Sequence, residues 1–306
     1  MSRPLRLHVE GGLYHVILRG NHREVIFRAP EDRARLSVLI SEVIESCRMS
    51  VHAFCWMPNH VHLLMEVRDV PLGPAMMRIA SRYARTAQWR RETTGHLFER
   101  RYRAILVDSE RYLCELLRYI HLNPVRAGLV AEPAAYEWSG HRAYLGLASW
   151  TWLTTSLALG RFGNEPAAAR EAYRRFVLDG IGTEPSPEYS RGRADDSRIL
   201  GNDAFVARAA ARSKATEVPS IDALISHFCR QYGADSAALS RSGRHRELVR
   251  VRALVVHHAL DCRAASLSEL ARRFHRSPSA LSESLEHYRR QFPDLFEQPL
   301  RLQITE

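Results

Sequence analysis

Apolar residues recur with two periods in the first half of the chain, and segments of the two kinds alternate. Four segments rich in β-branched and aromatic residues predict strands at 12–18, 51–57, 60–67 and 102–107. Helical spacing of apolar residues follows Pro30 and Pro74, because proline is favourable in a first helical turn. A third helix is predicted over 110–122, with Ser109 as its N-cap and an end before Pro124.

These elements follow one another in the order β-α-β-β-α-β-α within residues 1–147. That order predicts an α+β fold of the ferredoxin-like kind, in which helices cover one face of an antiparallel sheet. We therefore expect residues 1–147 to form one domain.

The second half of the chain is patterned differently. Residues 148–218 are irregular, and the run 180–188 has the glycine and proline content of a linker. Ser266 begins a capping-box pattern, and Ser277 followed by Pro278 begins a longer helix after a tight turn. A short helix, a turn and a longer helix predict a helix-turn-helix. The expected organisation is 1–147, a connector at 148–218, a helical domain at 219–292 and a tail at 293–306.

Charge indicates the class of partner. The 306 residues include 44 basic and 34 acidic ones, for a formal net charge of +10, and Lys214 is the one lysine. Arginine suits forked contacts with phosphate, so nucleic acid is the expected partner.

The five cysteines lack CxxC spacing and no apolar run is long enough to span a membrane, so we expect a cytoplasmic protein with no membrane partner.

Two short motifs carry candidate chemistry. His60 and His62 are two apart in a predicted strand, so both rings face one side and can share a divalent cation. Tyr119 and Asn123 are four apart on a predicted helix, so a phenol and a carboxamide share one helical face. The alternatives are an exposed strand face for the histidines, and a core tyrosine with a helix-capping asparagine.

Longer segments around these residues resemble one family. WMPNHVHLL at 56–64 and LRYIHLNPVRAGLV at 117–130 look like REP-associated tyrosine transposases, which are relatives of single-tyrosine insertion-sequence transposases in the HUH superfamily. GLYHV at 12–16, followed by RGN, and YEWSGHRAYLG at 136–146 match the outer segments of the same family. The resemblance spans about 1–147. Arg100 departs from it, because many members have glycine there.

The resemblance implies a mechanism and a location. His60, His62 and Asn123 would hold Mg²⁺ or Mn²⁺, and Tyr119 would attack a phosphate of single-stranded DNA to form a 5′-phosphotyrosine bond. Tyr112 is a rival nucleophile one heptad earlier, and His121 is expected to be structural. The implied substrate is a DNA hairpin with a short tetranucleotide at its foot, in the bacterial cytoplasm and associated with the nucleoid.

The segment from Ile221 to Tyr288 is similar to the DNA-binding domain of DnaA-type replication initiators, although Arg276 to Ala280 departs from the run that begins the initiators' recognition helix. Duplex DNA is the expected partner of this part. The candidate DNA contacts of both halves are Arg19, Asn21, Arg23, Arg100, Arg101, Arg103, Arg126, Arg244, Arg246, Arg250, Arg272, Arg276, Ser277, Ser279 and Ser282.

Two functions remain open at this point. One is a metal-dependent DNA nicking and joining enzyme that acts at REP-like palindromes. The other is a DNA-binding regulator that reads hairpins without cutting them. A zinc hydrolase is disfavoured because no carboxylate base accompanies the histidine pair. The sequence leaves both monomer and dimer open.

Overall fold

The structure is a computed structural model, and it describes residues 7–68, 70–214, 219–241, 245–262, 264–292 and 295–296. The chain divides into two compact units between residues 216 and 217. Each unit has a hydrophobic core of its own residues.

The first unit is built on a five-stranded sheet in the order β2-β3-β1-β4-β5. The strands are β1 (Leu13–Arg19), β2 (Ser50–Met57), β3 (His60–Glu66), β4 (Arg103–Val107) and β5 (Ile199–Leu200). Neighbouring strands among the first four are antiparallel, and these four match the strands predicted from the sequence. β5 comes from the connector and runs parallel to β4.

Helices lie against both faces of this sheet. In the first unit they are α1 (Pro30–Ser46), α2 (Leu72–Arg91), α3 (Ser109–Arg126), α4 (His141–Tyr144), α5 (Ser156–Leu159), α6 (Pro166–Leu178), α7 (Glu188–Arg191) and α8 (Asp203–Lys214). On one face, Val16 and Leu18 of β1 pack with α1 and α2. On the other, Ile105 of β4 packs with α3 and α6.

The α+β class is therefore confirmed, and it differs from the expectation in one detail. Helices were expected on one face, but alternate residues of the strands are apolar on both sides, so each face needs a cover. α2 begins at Leu72, two residues before Pro74, with Pro71 as its N-cap residue. The helix that carries the candidate nucleophile also differs from its prediction.

That helix, α3, is longer than predicted at both ends. Ser109 is its first residue rather than its N-cap, and the N-cap position belongs to Asp108. Pro124 lies inside the helix and does not end it. A proline has no N–H for the carbonyl four residues earlier, which is that of Ile120. The Asn123 side chain donates to this carbonyl at 3.4 Å, so the missing bond is partly replaced.

The second unit is helical, with α9 (Ile221–Tyr232), α10 (Arg246–Asp261), α11 (Leu267–Arg273) and α12 (Pro278–Gln291). The capping box of Ser266 and Glu269 is confirmed, and the Ser277 hydroxyl caps α12 by accepting from the Ala280 N–H at 3.1 Å. Leu254 of α10 lies in the core that these helices share. Across the described ranges, no helix has the length and apolarity needed to cross a membrane.

Candidate active site

Two histidines lie side by side in the middle of the sheet. His60 and His62 are on β3, between β2 and β1, and their ring centroids are 4.9 Å apart. His62 is buried at 2 % exposure, whereas His60 at the start of the strand is half-buried. The two-residue period of a strand puts both rings on one face, as predicted.

The tyrosine of α3 lies against these histidines. α3 packs on β2 and β3, and the Tyr119 ring centroid is 5.7 Å from that of His62, with an edge-to-face angle of 89°. Among the described residues, Tyr112 makes no ring contact with the histidines. Seven residues of helix separate the two tyrosines by about 10 Å. The structure therefore brings Tyr119 to the histidine pair and leaves Tyr112 two turns away.

Asn123 follows one turn after Tyr119, and its amide orientation is fixed by its neighbours. Its Nδ2 donates to the Tyr119 carbonyl at 2.8 Å and to the Ile120 carbonyl at 3.4 Å. Carbonyl oxygens only accept, so the NH₂ group faces them and Oδ1 is left free of both bonds. An amide oxygen is a suitable ligand for Mg²⁺ or Mn²⁺.

One nitrogen of the histidine pair is available to bind a cation. The Nε2 atom of His62 is buried and has no hydrogen-bond partner in the described part of the chain. A buried imidazole nitrogen without a partner is costly unless something binds it. No cluster of three His, Cys, Asp or Glu side chains suitable for a metal occurs among the described residues, so a cation here depends on the two histidines and the Asn123 oxygen.

Burial and a nearby cation keep the histidines neutral. Burial, together with the charge of the Arg19 guanidinium, lowers the pKa of His60 to about 4. Burial, His60, His15 and Arg19 hold the pKa of His62 well below its usual range. Arg19 is exposed and lies opposite His60 in the sheet register. The neutral ring is the form that ligates a metal.

Opposing influences act on the Tyr119 phenol. Burial raises its pKa, whereas a hydrogen bond with the Ser190 side chain and the charges of Arg126 and Arg19 lower it. Arg126 donates to the Tyr119 carbonyl at 3.0 Å, and its guanidinium carbon lies 5.5 Å from the centre of the ring. The two cations thus favour the deprotonated phenol, which is the nucleophilic form.

Sequence reasoning gave no role to three residues of this site: His15, Tyr189 and Ser190. His15 is fully buried on β1 and contacts the His62 ring at a centroid distance of 5.1 Å. Tyr189 of α7 contacts the Tyr119 ring at 5.5 Å. His15 stands in the GLYHV segment, where a buried polar residue among apolar ones was an available signal. The connector offered no such signal, because its composition resembles that of a linker.

His121 lies on α3 but faces other partners. It is fully buried, and its Nδ1 is 2.7 Å from the Tyr173 hydroxyl of α6. The same hydroxyl is 2.6 Å from Nδ1 of His141. These contacts fit the structural role expected for His121, joining α3 to the connector.

The candidate DNA contacts of the first unit are mostly exposed. Those with exposed side chains are Arg19, Arg23, Arg100, Arg101, Arg103 and Arg126. Asn21 is half-buried, and Arg100 forms an ion pair with Glu99 at 2.9 Å. Arg103 donates to the carbonyls of Ser190 and Arg191 at 3.4 and 3.3 Å, so it is also bonded to α7.

The candidate contacts of the second unit are in varied environments, and Arg244 lies outside the described residues. Those with exposed side chains are Arg246, Arg272, Ser277, Ser279 and Ser282. Arg276 is half-buried and donates to the Arg241 carbonyl at 2.6 Å. Arg250 lies with its guanidinium carbon 4.8 Å from the centre of the Tyr232 ring.

Part of the first unit is similar to a known protein family. Residues 8–123 match the family model described as "Transposase IS200 like". These residues are therefore similar to IS200-like transposases. The matched range contains His60, His62, Tyr119 and Asn123. The match does not extend to the second unit.

A solved structure is also similar to the chain. The structure of a REP-associated tyrosine transposase bound to a REP hairpin is 18% identical, with a TM-score of 0.43 over 50% of this chain and 92% of the other. No curated protein sequence matches the chain. Residues 8–123 thus resemble a known family, while residues beyond 123 lie outside the family model.

Proposed function

We propose that the chain is a metal-dependent endonuclease and strand transferase that acts on single-stranded DNA through a 5′-phosphotyrosine intermediate. One observation carries the proposal: the Tyr119 ring packs edge-on against His62, and His62 packs against His60. A potential nucleophile and two potential cation ligands therefore lie close together within the residues that match the family model.

Three side chains would hold the cation. The ring nitrogens of His60 and His62 and the Oδ1 of Asn123 are the available donors, and Mg²⁺ or Mn²⁺ accepts such a mixed set. When bound, the ion would offset the negative charge that develops on the oxygens of the scissile phosphate.

The chain's own residues supply the nucleophile and its surroundings. The Tyr119 Oη would attack phosphorus, so that the Oη–P bond forms, the P–O3′ bond breaks and the freed 3′ oxygen takes up a proton. Arg19 and Arg126 favour loss of the phenolic proton, because both lower the pKa of Tyr119. Attack by a 3′-hydroxyl on the phosphotyrosine would reverse the step and join strands without a nucleotide cofactor.

Hairpins of the REP-like palindrome type are the proposed substrate, as the family resemblance implies. The exposed arginines around the site would contact the phosphates of the strand. For the second unit we propose binding to duplex DNA, with α12 as the helix that enters the major groove. Ser277, Ser279 and Ser282 are at or near the start of that helix.

The second candidate function is hairpin recognition without cleavage. The exposed arginines alone favour it, because phosphate contacts serve binding as well as catalysis. A binding protein, however, has no need of a tyrosine packed against two neutral histidines. The two functions differ in whether a covalent protein–DNA adduct forms when Mg²⁺ or Mn²⁺ is present.

Paired tyrosine variants test the proposal. Tyr119→Phe removes only the nucleophilic oxygen, so we expect hairpin-containing single strands to be bound but cleaved at least about 10³-fold more slowly. Tyr112→Phe is the matched control, since it makes the same change two turns away on α3, and it should cleave like the wild type. Cleavage that survives in Tyr119→Phe and disappears in Tyr112→Phe would refute the assignment, and no cleavage by the wild type with either metal would favour the regulator.

A further inference from the structure

A chain of hydrogen-bonding groups leads from the connector to the buried nitrogen of His62. The Tyr189 main-chain carbonyl is 2.7 Å from His15 Nδ1, and His15 Nε2 is 2.9 Å from His62 Nδ1. At the far end, His62 Nε2 is buried and has no partner in the described residues. Tyr189 and His15 are 174 positions apart in the sequence.

The Tyr189 carbonyl determines which ring nitrogen carries the proton in both His15 and His62. A carbonyl only accepts, so the proton of neutral His15 must be on Nδ1, and its Nε2 must accept. The atom that donates to it is His62 Nδ1, so the proton of neutral His62 is there as well. His62 Nε2 is then left with a free lone pair, which is the form a cation needs.

If His15 were protonated on both nitrogens, its Nε2 would donate to His62 Nδ1 instead of accepting from it. The surroundings of His15, however, do not stabilise a positive charge. His15 and His62 are 0 % and 2 % exposed. Within the described part of the chain, no carboxylate is hydrogen bonded to either ring. A buried imidazolium without an anionic partner is costly, so both rings are neutral.

His60 is held in the same way by another neighbour. Its Nδ1 is 2.7 Å from Asn59 Oδ1, and Asn59 Nδ2 donates to the Arg23 carbonyl at 3.0 Å. The Arg23 carbonyl fixes which end of the amide faces His60, and the amide oxygen can only accept. The proton of His60 is therefore on Nδ1, and Nε2 again carries the lone pair.

We infer that His15 and Asn59 are positioning residues that hold His62 and His60 with both Nε2 lone pairs free for a cation. The inference rests on the proposed metal-dependent function and adds the Tyr189 carbonyl to the site. His15 itself cannot be a ligand in this arrangement, because both of its ring nitrogens are already used. The connector is thereby part of the metal site.

The tautomers can be observed directly in the full-length protein without metal. Long-range proton–nitrogen correlation spectra of ¹⁵N-histidine-labelled protein distinguish a protonated Nδ1 from a protonated Nε2. We expect His15, His60 and His62 all to carry the proton on Nδ1 at pH 7.5, with assignments made from single-histidine variants. A proton on Nε2 of His60 or His62 would overturn the inference, and the tautomers themselves are read from the spectrum of the wild-type protein.

Two substitutions at one position test the consequence for metal affinity. His15→Leu removes the acceptor for His62, so we expect Mn²⁺ to bind about 10- to 100-fold more weakly by titration calorimetry. His15→Gln can accept from His62 and donate to the Tyr189 carbonyl through one amide, so it should recover most of that affinity. A purely structural residue predicts no such rescue. Equal affinity in the wild type and His15→Leu, or equal loss in both variants, would contradict the inference.

The metal titration also separates this inference from the proposed function. His60→Ala removes a proposed ligand and should weaken Mn²⁺ binding. If His60→Ala weakens binding and His15→Leu does not, the positioning role is wrong and the proposed nuclease is unaffected. If His60→Ala leaves Mn²⁺ binding unchanged, both the metal site and the positioning role are wrong.

Discussion

At the scale of single residues, the site is a set of side chains whose protonation is controlled by what surrounds them. Burial keeps His60 and His62 neutral, and main-chain carbonyls fix the orientation of the Asn123 amide. Arg19 and Arg126 oppose the effect of burial on the Tyr119 phenol. Each of these effects can be tested by a substitution that changes one of them.

Asn123→Ala should weaken cation binding without unfolding the domain. The change removes the Oδ1 donor together with two hydrogen bonds to the carbonyls of Tyr119 and Ile120. We expect the free energy of unfolding to fall by about 1–2 kcal/mol, as for lost hydrogen bonds of this kind. Mn²⁺ affinity should fall about tenfold or more by calorimetry.

Asn202→Ala is the control for that experiment. Asn202 is also an asparagine whose side chain bonds to the main chain, in this case by accepting from the Phe205 N–H at 2.8 Å. Its loss should alter stability and leave Mn²⁺ affinity unchanged. A loss of affinity in both variants would show that Asn123 acts through stability alone.

At the scale of elements, local signals in the sequence predicted most of the structure. The four strands of residues 1–147 and the capping box at Ser266 were all readable, because each depends on neighbours within a few positions. The end of α3 could not be predicted in this way. Pro124 normally ends a helix, and the Asn123 side chain that partly replaces the missing bond was interpreted only as a ligand or a cap.

The capping box makes a measurable contribution to the second unit. Ser266→Ala removes the hydroxyl that accepts from the Glu269 N–H at 3.3 Å, so we expect a loss of about 1 kcal/mol. Ser268→Ala is the matched control, since Ser268 is exposed within α11. Thermal unfolding followed by circular dichroism at 222 nm measures both.

Tryptophan fluorescence shows which unit is affected. All five tryptophans lie before residue 153, so fluorescence reports on the first unit. The Ser266→Ala shift should appear in the dichroism transition. An equal shift in Ser268→Ala would contradict the role of the cap.

At the scale of the whole molecule, contacts distant in sequence limited what could be predicted. His60, His62 and Tyr119 were predicted as site residues because each lies in a recognisable motif. His15 and Tyr189 were not, since their roles depend on a contact across 174 positions that no local pattern records. For the same reason, composition alone did not reveal that the connector contributes β5 to the sheet.

Buried histidines make stability depend on pH. In α10, burial, together with Arg289, lowers the pKa of His257 to about 4, and burial, with neighbouring His257, His227 and Arg289, lowers that of His258 to about 3. The unfolded chain takes up these protons near pH 6.5, so it binds more protons than the folded chain below that value. Above pH 6.5 these two histidines do not reduce the free energy of unfolding. That free energy falls as the pH falls toward 4, by about 2 kcal/mol per histidine at pH 5.

Denaturant unfolding at pH 7.5 and pH 5 measures this effect. His258→Leu should reduce the difference in unfolding free energy between the two pH values, because one buried proton acceptor is removed. His287→Leu removes an exposed histidine of α12 and should leave the difference unchanged. An identical difference in all three proteins would show that burial of His258 does not contribute.

Peptide mapping of a trapped protein–DNA adduct shows whether Tyr119 becomes covalently attached to DNA, as proposed. Trypsin cleaves after Arg111, Arg118 and Arg126, so it places Tyr112 in residues 112–118 and Tyr119 in residues 119–126. The wild-type protein would be incubated with a hairpin-containing single strand and Mn²⁺, digested and analysed by mass spectrometry. We expect a 5′-phosphonucleotide on Tyr119. A nucleotide on Tyr112 or on any other residue would contradict the proposed role of Tyr119.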